Sequence, residues 1–168
     1  RVVLTAGALS TPAILLRSGI RNRLLGRGLY LHPATAVSAV YDEPVRSWEG
    51  APMSVYSPEF SELDGNYGVY LETVPGHPGL IALATPWDGA GRHRGHMRDA
   101  EHMADLLVLS RDRIGGRLTV DRDGRARVDY RISRETERHL RTGLDAAVDV
   151  AFAGGAMAAM TLMERPLL

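Results

Sequence analysis

Val2-Val3-Leu4-Thr5-Ala6-Gly7-Ala8-Leu9-Ser10-Thr11-Pro12-Ala13-Ile14-Leu15-Leu16-Arg17-Ser18-Gly19 is the stretch on which the reading of the fold turns. Val2 to Leu4 is a short apolar run that ends on small residues, the pattern of a buried strand followed by a tight turn. Thr11-Pro12 then opens a helix, because Thr can cap the N-terminus and Pro is tolerated at the first helical position. Ile14, Leu15 and Leu16 supply its apolar face, and Ser18-Gly19 ends it. Strand, glycine turn and helix make half of a βαβ arrangement whose other strands are not visible in the sequence. A turn of this kind exposes backbone N–H groups to phosphate or nucleotide. Plain strand-to-helix packing gives the same local pattern, so from these residues alone both readings stand.

Moving outward, Gly26-Arg27-Gly28 reads as a flexible joint, and a domain boundary is expected near residues 26–31. Residues 1–30 then form a remnant of an α/β domain, and residues 31–168 a second domain with a different texture. Short strands are expected at Ala34–Tyr41, Pro52–Tyr56, Gly68–Thr73, Leu80–Thr85 and Leu106–Leu109, separated by turn residues such as Asp64-Gly65-Asn66 and Pro75-Gly76-His77-Pro78-Gly79. Asp123-Gly124 marks the tip of a hairpin over Arg117–Tyr130, in which Leu118, Val120, Val128 and Tyr130 alternate with polar residues. Two helices are expected. Gly91–Ala104 has Met97, Ala100, Met103 and Ala104 on one side. Ser133–Ala153 has Ser133 as its cap, Glu135 in its first turn, and Leu140, Leu144, Val148, Ala151 and Phe152 at helical spacing. The class is α+β: an antiparallel sheet with flanking helices, preceded by a strand–helix remnant of an α/β domain.

Bulk properties narrow the classes of function. With 45% hydrophobic and 24% charged residues, the 168-residue chain can bury a core and is not of disordered composition. Net charge is zero, and all 20 basic residues are arginine, so overall charge lends no support to a nucleic-acid or anionic-membrane partner. The absence of cysteine excludes disulfides, thiolate metal sites and a cysteine nucleophile within these residues. No run approaches the roughly 18 apolar residues needed to cross a bilayer, and Val2–Leu4 is too short for a signal-peptide core. A cytoplasmic location is the expectation. Because the chain starts at Arg1 and runs directly into an apolar stretch, it reads as cut from something longer.

The segment from Gly7 to Ile20 resembles the second signature of the glucose–methanol–choline (GMC) oxidoreductases, with Gly7, Ala8, Thr11, Pro12, Ile14, Leu15, Ser18, Gly19 and Ile20 at matching positions. Arg21 departs from the final Gly. Gly26-Arg27-Gly28-Leu29-Tyr30-Leu31-His32-Pro33 is similar to the family's Gly-Arg-Asn-Leu-x-x-His-Pro segment, with Gly28 in place of Asn. Residues 32–37, residues 44–50 and the run from Arg111-Asp112-Arg113 through Gly115-Gly116 to the helix after Tyr130 resemble the long-chain fatty alcohol oxidase branch. The resemblance implies that residues 1–30 are a remnant of the FAD-binding domain and that residues 31–168 belong to the substrate-binding domain. It also implies that the chain is part of an FAD-dependent enzyme that oxidises CH–OH groups of an apolar, long-chain alcohol by hydride transfer to flavin. The isolated chain is expected to be inactive. Its partners are then a small-molecule alcohol and the remainder of the same polypeptide. Ala6, Gly7, Ala8, Thr11 and His32 are the positions expected to approach FAD.

Members of the family also carry an N-terminal Gly-x-Gly-x-x-Gly turn for the FAD diphosphate, and a late His-x-x-Gly-Thr motif whose His takes the alcohol proton. Neither occurs in these residues, so no catalytic residue is assigned, and the chain is expected to stop before the catalytic motif. These absences motivate a second reading, a non-catalytic binding module derived from such a substrate domain. His93, His96, Asp99 and His102 recur by threes, a spacing that drifts around a helix, and no metal site is assigned to them. Trp48 and Trp87 are read as core packing ahead of a substrate-channel lining. The arginine-rich segments at residues 21–27 and 111–117 are read as solvated faces.

Overall fold

In chain order, the elements are α1 (Gly7–Arg17), β1 (Arg27–Leu29), β2 (Ala34–Val40), β3 (Tyr56–Ser57), β4 (Val69–Val74), α2 (Pro78–Ala84), α3 (Ala90–Arg98), β5 (Met103–Ser110), β6 (Gly116–Val120), β7 (Ala126–Asp129), α4 (Arg134–Ala153) and β8 (Ala158–Thr161). This is a computed structural model, and it describes residues 1–162. The class is α+β, with two antiparallel sheets and four α-helices among the described residues. The chain divides into two compact units, each assembled from two separate segments. The first joins residues 1–32 to residues 112–134, and the second joins residues 33–111 to residues 135–168.

In the first unit, β1, β6 and β7 form a three-stranded sheet in that order, with α1 packed against β6 and β7. The β6–β7 hairpin is built as its sequence specifies. Leu118 faces Val128, Val120 faces Ala126, and Gly124 at the tip has φ +76°. The Asp121 carboxylate accepts the backbone N–H groups of Asp123 and Arg125 at 3.0 and 2.8 Å and closes the turn. These bonds, that to Arg125 foremost, hold it below the usual carboxylate range. At the start of the chain, two expectations fail. Val2–Leu4 forms no strand, and Val2 and Val3 are 89% and 81% exposed. A strand needs a neighbouring strand for its ladder, and the segment pairs with no other strand here. The helix opens at Gly7 rather than at Thr11. Pro12 therefore lies inside α1, where it has no N–H to donate to the carbonyl of Ala8.

The second unit is a five-stranded antiparallel sheet in the order β3-β4-β5-β2-β8. Along β2 and β5 the register pairs Val37 with Leu106 and Ser38 with Asp105. Successive strand residues point to opposite faces, so Val37, Val69, Leu71 and Val108 share one face, and Leu144 and Ala147 of α4 close over them as the main core. Buried α4 positions Thr136, His139, Gly143, Leu144, Ala147 and Ala151 recur at three- and four-residue spacing, which is why one stripe of that helix meets the sheet. A smaller cluster of Ile81, Ala100, Met103 and Met160 forms beneath α2.

Three expectations about this unit are corrected. Leu80–Thr85 is not a strand, because the segment lies largely in α2. Pro78 stands at the first helical position, and the His77 ring nitrogen Nδ1 accepts the Gly79 N–H at 3.1 Å as a cap. The helix expected over Gly91–Ala104 ends at Arg98, a single 3-10 turn follows at Ala100–His102, and Met103 already belongs to β5. Of Pro52–Tyr56 only Tyr56 is in a strand, β3.

Candidate functional site

The turn at the head of α1 is held by its own residues. Gly7 has φ +81°, a conformation that costs glycine little and other residues considerably more. The Ala6 N–H donates to Thr11 Oγ1 at 3.1 Å, so the threonine hydroxyl ties the entry of the helix to its second turn. Ala6, Gly7 and Ala8 are all exposed, and the first N–H groups of a helix have no partner within it. The positive end of the helix dipole adds to their attraction for an anionic or electron-rich group.

Beside this turn is a cavity of about 460 Å³. Ala8, Thr11, Pro12 and Leu15 line it from α1, and residues 24–30 with Leu118 line it from the other side. Two glycines bring these walls together. A β-carbon on Gly26 (φ +72°) would collide with the Leu118 carbonyl, and one on Gly115 would sit 2.9 Å from the Gly28 Cα and 3.0 Å from the Tyr30 ring. The cavity wall thus combines residues of both sequence segments singled out above, 7–20 and 26–33. Of the five positions expected to approach a cofactor, Ala8 and Thr11 line the cavity, whereas Ala6, Gly7 and His32 do not. The walls are mainly apolar, with Arg27 as their charged side chain, a lining suited to a ring system or an alkyl portion of a larger group.

His32 is exposed and has φ +47°, a left-handed backbone that a non-glycine residue adopts at a cost. The residue before it is anchored. The Leu31 N–H donates to Asp112 Oδ2 at 2.7 Å, and the Tyr130 hydroxyl donates to Asp112 at 2.8 Å from each carboxylate oxygen. Asp112 is only 7% exposed. Desolvation, reinforced by the neighbouring carboxylate, pushes the Tyr130 phenol up to about 12. From the sequence, Tyr130 is a position of the hairpin alternation and Asp112 part of the Arg111-Asp112-Arg113 run, and neither carries a site role. Between Arg111 and Arg113, both exposed, Asp112 has the look of a solvated ion pair, and only the fold reveals that it points inward.

The second unit has a different polar feature. On the sheet face opposite α4, the Ser38 hydroxyl donates to Asp105 Oδ1 in a short hydrogen bond. Burial raises the Asp105 carboxyl above its ordinary value, and the Ser38 bond opposes part of that rise. Asp105 lies in the wall of two cavities, of about 410 and 260 Å³. The first is lined by residues of the 45–54 loop, and the second mostly by apolar residues including Leu80, Ile81 and Leu107. Trp87 is 70% exposed and stacks obliquely beside His93, with ring centroids 5.1 Å apart, so its expected core role is corrected. Neither Trp87 nor the half-buried Trp48 lines these two cavities. The expected histidine row is dispersed: His93 Nε2 lies 3.0 Å from the Ala82 carbonyl, and His102 faces Glu101. Among the described residues no group of three His, Asp or Glu side chains is placed to hold a metal.

The family model described as GMC oxidoreductase matches residues 1–34, the segment that supplies most of the first-unit cavity. The similarity to full-length relatives then extends over nearly all of the chain. An uncharacterized GMC-type oxidoreductase of Mycobacterium tuberculosis is 35% identical over 161 residues, covering 95% of this chain and 25% of the relative. The chain belongs to the GMC oxidoreductase family. Long-chain-alcohol oxidases FAO4A and FAO3 of Arabidopsis thaliana are 29% and 28% identical to this GMC chain, each match covering 92% of the chain and 22% and 21% of the relative. The GMC chain therefore spans about a quarter or less of the length of the curated relatives it matches. No helix among its described residues is long and apolar enough to cross a membrane.

Proposed function

We propose that this chain is part of an FAD-dependent oxidoreductase that oxidises the CH–OH group of an apolar, long-chain alcohol. In this reading residues 1–30 are a remnant of the flavin-binding domain, and residues 31–168 belong to the substrate-binding domain. Ala6, Gly7, Ala8 and Thr11 meet the cofactor through backbone N–H groups and small side chains, and His32 approaches it from the second matched segment. The observation that carries the reading is that residues 7–20 and 26–33, distinct in sequence, meet around one mainly apolar cavity. That cavity fits a portion of a flavin nucleotide rather than the whole. The chemistry flavin supplies when bound is acceptance of hydride from the carbinol carbon. The residues of this chain bind and orient, and the base that removes the hydroxyl proton lies outside them.

The Arabidopsis relatives named as long-chain-alcohol oxidases motivate the substrate class. The mainly apolar cavity beside Asp105 is consistent with an aliphatic ligand. The test is to purify the full-length protein containing this chain, record its visible absorbance, and offer it straight-chain primary alcohols of increasing length. Bands near those of oxidised flavin, bleached by long-chain alcohols, are the expected result. A protein without flavin, or with flavin that these alcohols do not reduce, overturns the reading.

A further inference from the structure

We infer that Asp112 and Tyr130 are a positioning pair for His32. The carboxylate and the phenol fix the peptide that leads into His32, keeping it in its left-handed conformation with the exposed imidazole available as a cofactor contact. This inference rests on the proposed placement of His32 at the cofactor site.

Three observations lead to it. The first is the anchor. Asp112 reaches back across 81 residues of sequence to accept the Leu31 N–H at 2.7 Å, and both its oxygens accept the Tyr130 hydroxyl at 2.8 Å. A buried carboxylate is costly unless its lone pairs are occupied, and here neutral donors, an amide and a phenol, occupy them. The second is the strain. A histidine at φ +47° persists only where its surroundings over-determine it, and the anchor acts on the peptide immediately before it. The third is what the anchored segment does with its side chains. Tyr30 and Leu31 are 55% and 49% exposed, and His32 is exposed as well. The hydrogen bonds therefore hold a backbone that displays its side chains instead of burying them in a core. Packing alone would not require a histidine at φ +47°, since glycine takes that conformation with less strain. An imidazole at a strained, anchored position is the arrangement of a side chain whose direction matters.

The experiment uses the full-length protein with Asp112→Asn, Tyr130→Phe, His32→Ala, His32→Gly and the double variant Asp112→Asn/His32→Ala. FAD dissociation constants, flavin absorbance spectra and melting temperatures of the flavin-free forms are measured for each. Asp112→Asn keeps the shape but places an amide donor against either the Leu31 N–H or the Tyr130 hydroxyl. It is expected to weaken FAD binding about tenfold, the scale of one lost charge-assisted hydrogen bond, and to alter the flavin spectrum. That effect should shrink to within twofold in the His32→Ala background, because the pair acts through His32. Tyr130→Phe should shift both readouts in the same direction by less. His32→Gly should melt higher than His32→Ala, reporting the backbone strain independently of cofactor.

An Asp112→Asn effect of equal size with and without His32, or a change in melting temperature with an unaltered spectrum and FAD affinity, would show a purely structural role and overturn the inference. Should Asp112→Asn fail to fold, Tyr130→Phe with and without His32→Ala decides by the same criterion, since it leaves Leu31 its acceptor. If His32→Ala itself leaves FAD binding unchanged, the placement of His32 fails, and this inference falls with it. If the parent protein binds no FAD, the proposed function fails first, and the two failures are distinguished.

Discussion

Gly143 of α4 lies directly over Val108 of β5. A β-carbon at position 143 would overlap the Val108 Cγ1 and sit 2.8 Å from the Val69 Cγ2. The missing side chain is what lets the helix settle onto the sheet at the point where Val37, Val69 and Val108 are fully buried. Gly143→Ala would raise helix propensity by about 1 kcal/mol, and at an exposed position it would stabilise. Here overpacking of about 1–3 kcal/mol opposes that gain. The expected net result is a melting temperature lower by a few degrees, read by calorimetry or circular dichroism. An unchanged or raised value would show that α4 is free to lift from the sheet.

Gly26 offers a more severe case. It combines φ +72° with a carbonyl, that of Leu118, in the place a β-carbon would take, and Leu118 donates its own N–H to the Gly26 carbonyl at 2.7 Å. Gly26→Ala should cost more than about 2 kcal/mol, because strain and collision act together on the β1–β6 edge. Hydrogen exchange should show loss of protection concentrated at Leu118 and its neighbours. Protection retained there would contradict the close approach.

Asp105 predicts a pH dependence of defined sign. Its folded pKa is raised, so the folded state holds this proton more tightly than the unfolded state does. Stability from this group is therefore greatest at acid pH and declines as pH rises from the ordinary value of 3.8 through the folded value. Asp105→Asn, which keeps an acceptor for Ser38 without the charge, should raise stability at pH 7 by on the order of 1 kcal/mol and give no advantage below about pH 4. Denaturant titrations at the two pH values make the comparison. A variant less stable at pH 7 would mean that the charge has a stabilising partner.

Tyr130 predicts the alkaline limb. With its phenol pushed up to about 12, its contribution to stability is complete below the unfolded value of 10 and is lost as pH rises through the folded value. Tyr130→Phe should lower stability at neutral pH, where the bond to Asp112 is lost, and should remove part of the decline between pH 10 and 12. Parallel stability curves for the two proteins across that range would count against the assigned hydrogen bond.

The sequence was legible where local chemistry dictates structure. The Asp-Gly hairpin closed as expected, because its turn and its alternation agree. The stripe of α4 was readable because three to four residues separate its buried positions over twenty residues. Leu80–Thr85 departs from its expected strand because a short apolar run fits a strand or a helix equally, and His77 as cap with Pro78 at the first position decides for the helix. Val2–Leu4 has strand composition, but composition cannot supply a neighbouring strand. The inward placement of Asp112 and Asp105 is not legible in the sequence, for a common reason. Whether an aspartate faces solvent or interior depends on register and on residues distant in sequence, and neither is visible in a local window. Ala8 and Thr11, which line the cavity beside α1, stand out in the sequence because the fixed spacing of the motif is itself the signal, whereas the pair that anchors the residue before His32 is defined only by the fold.

The division into two units, each made from two segments, has a consequence in time. During synthesis β1 emerges well before its partner β6, which lies beyond residues 33–111, on the order of ten seconds later at ordinary ribosomal rates. The helix and turn that bear the family's motif must wait, unpaired, while the larger sheet of the second unit is being made. That sheet cannot finish first either, since α4 and β8 come after the hairpin. The segments of the first unit are complete at residue 134, before α4 and β8 of the second have been made, and no single cut in the chain yields either unit intact.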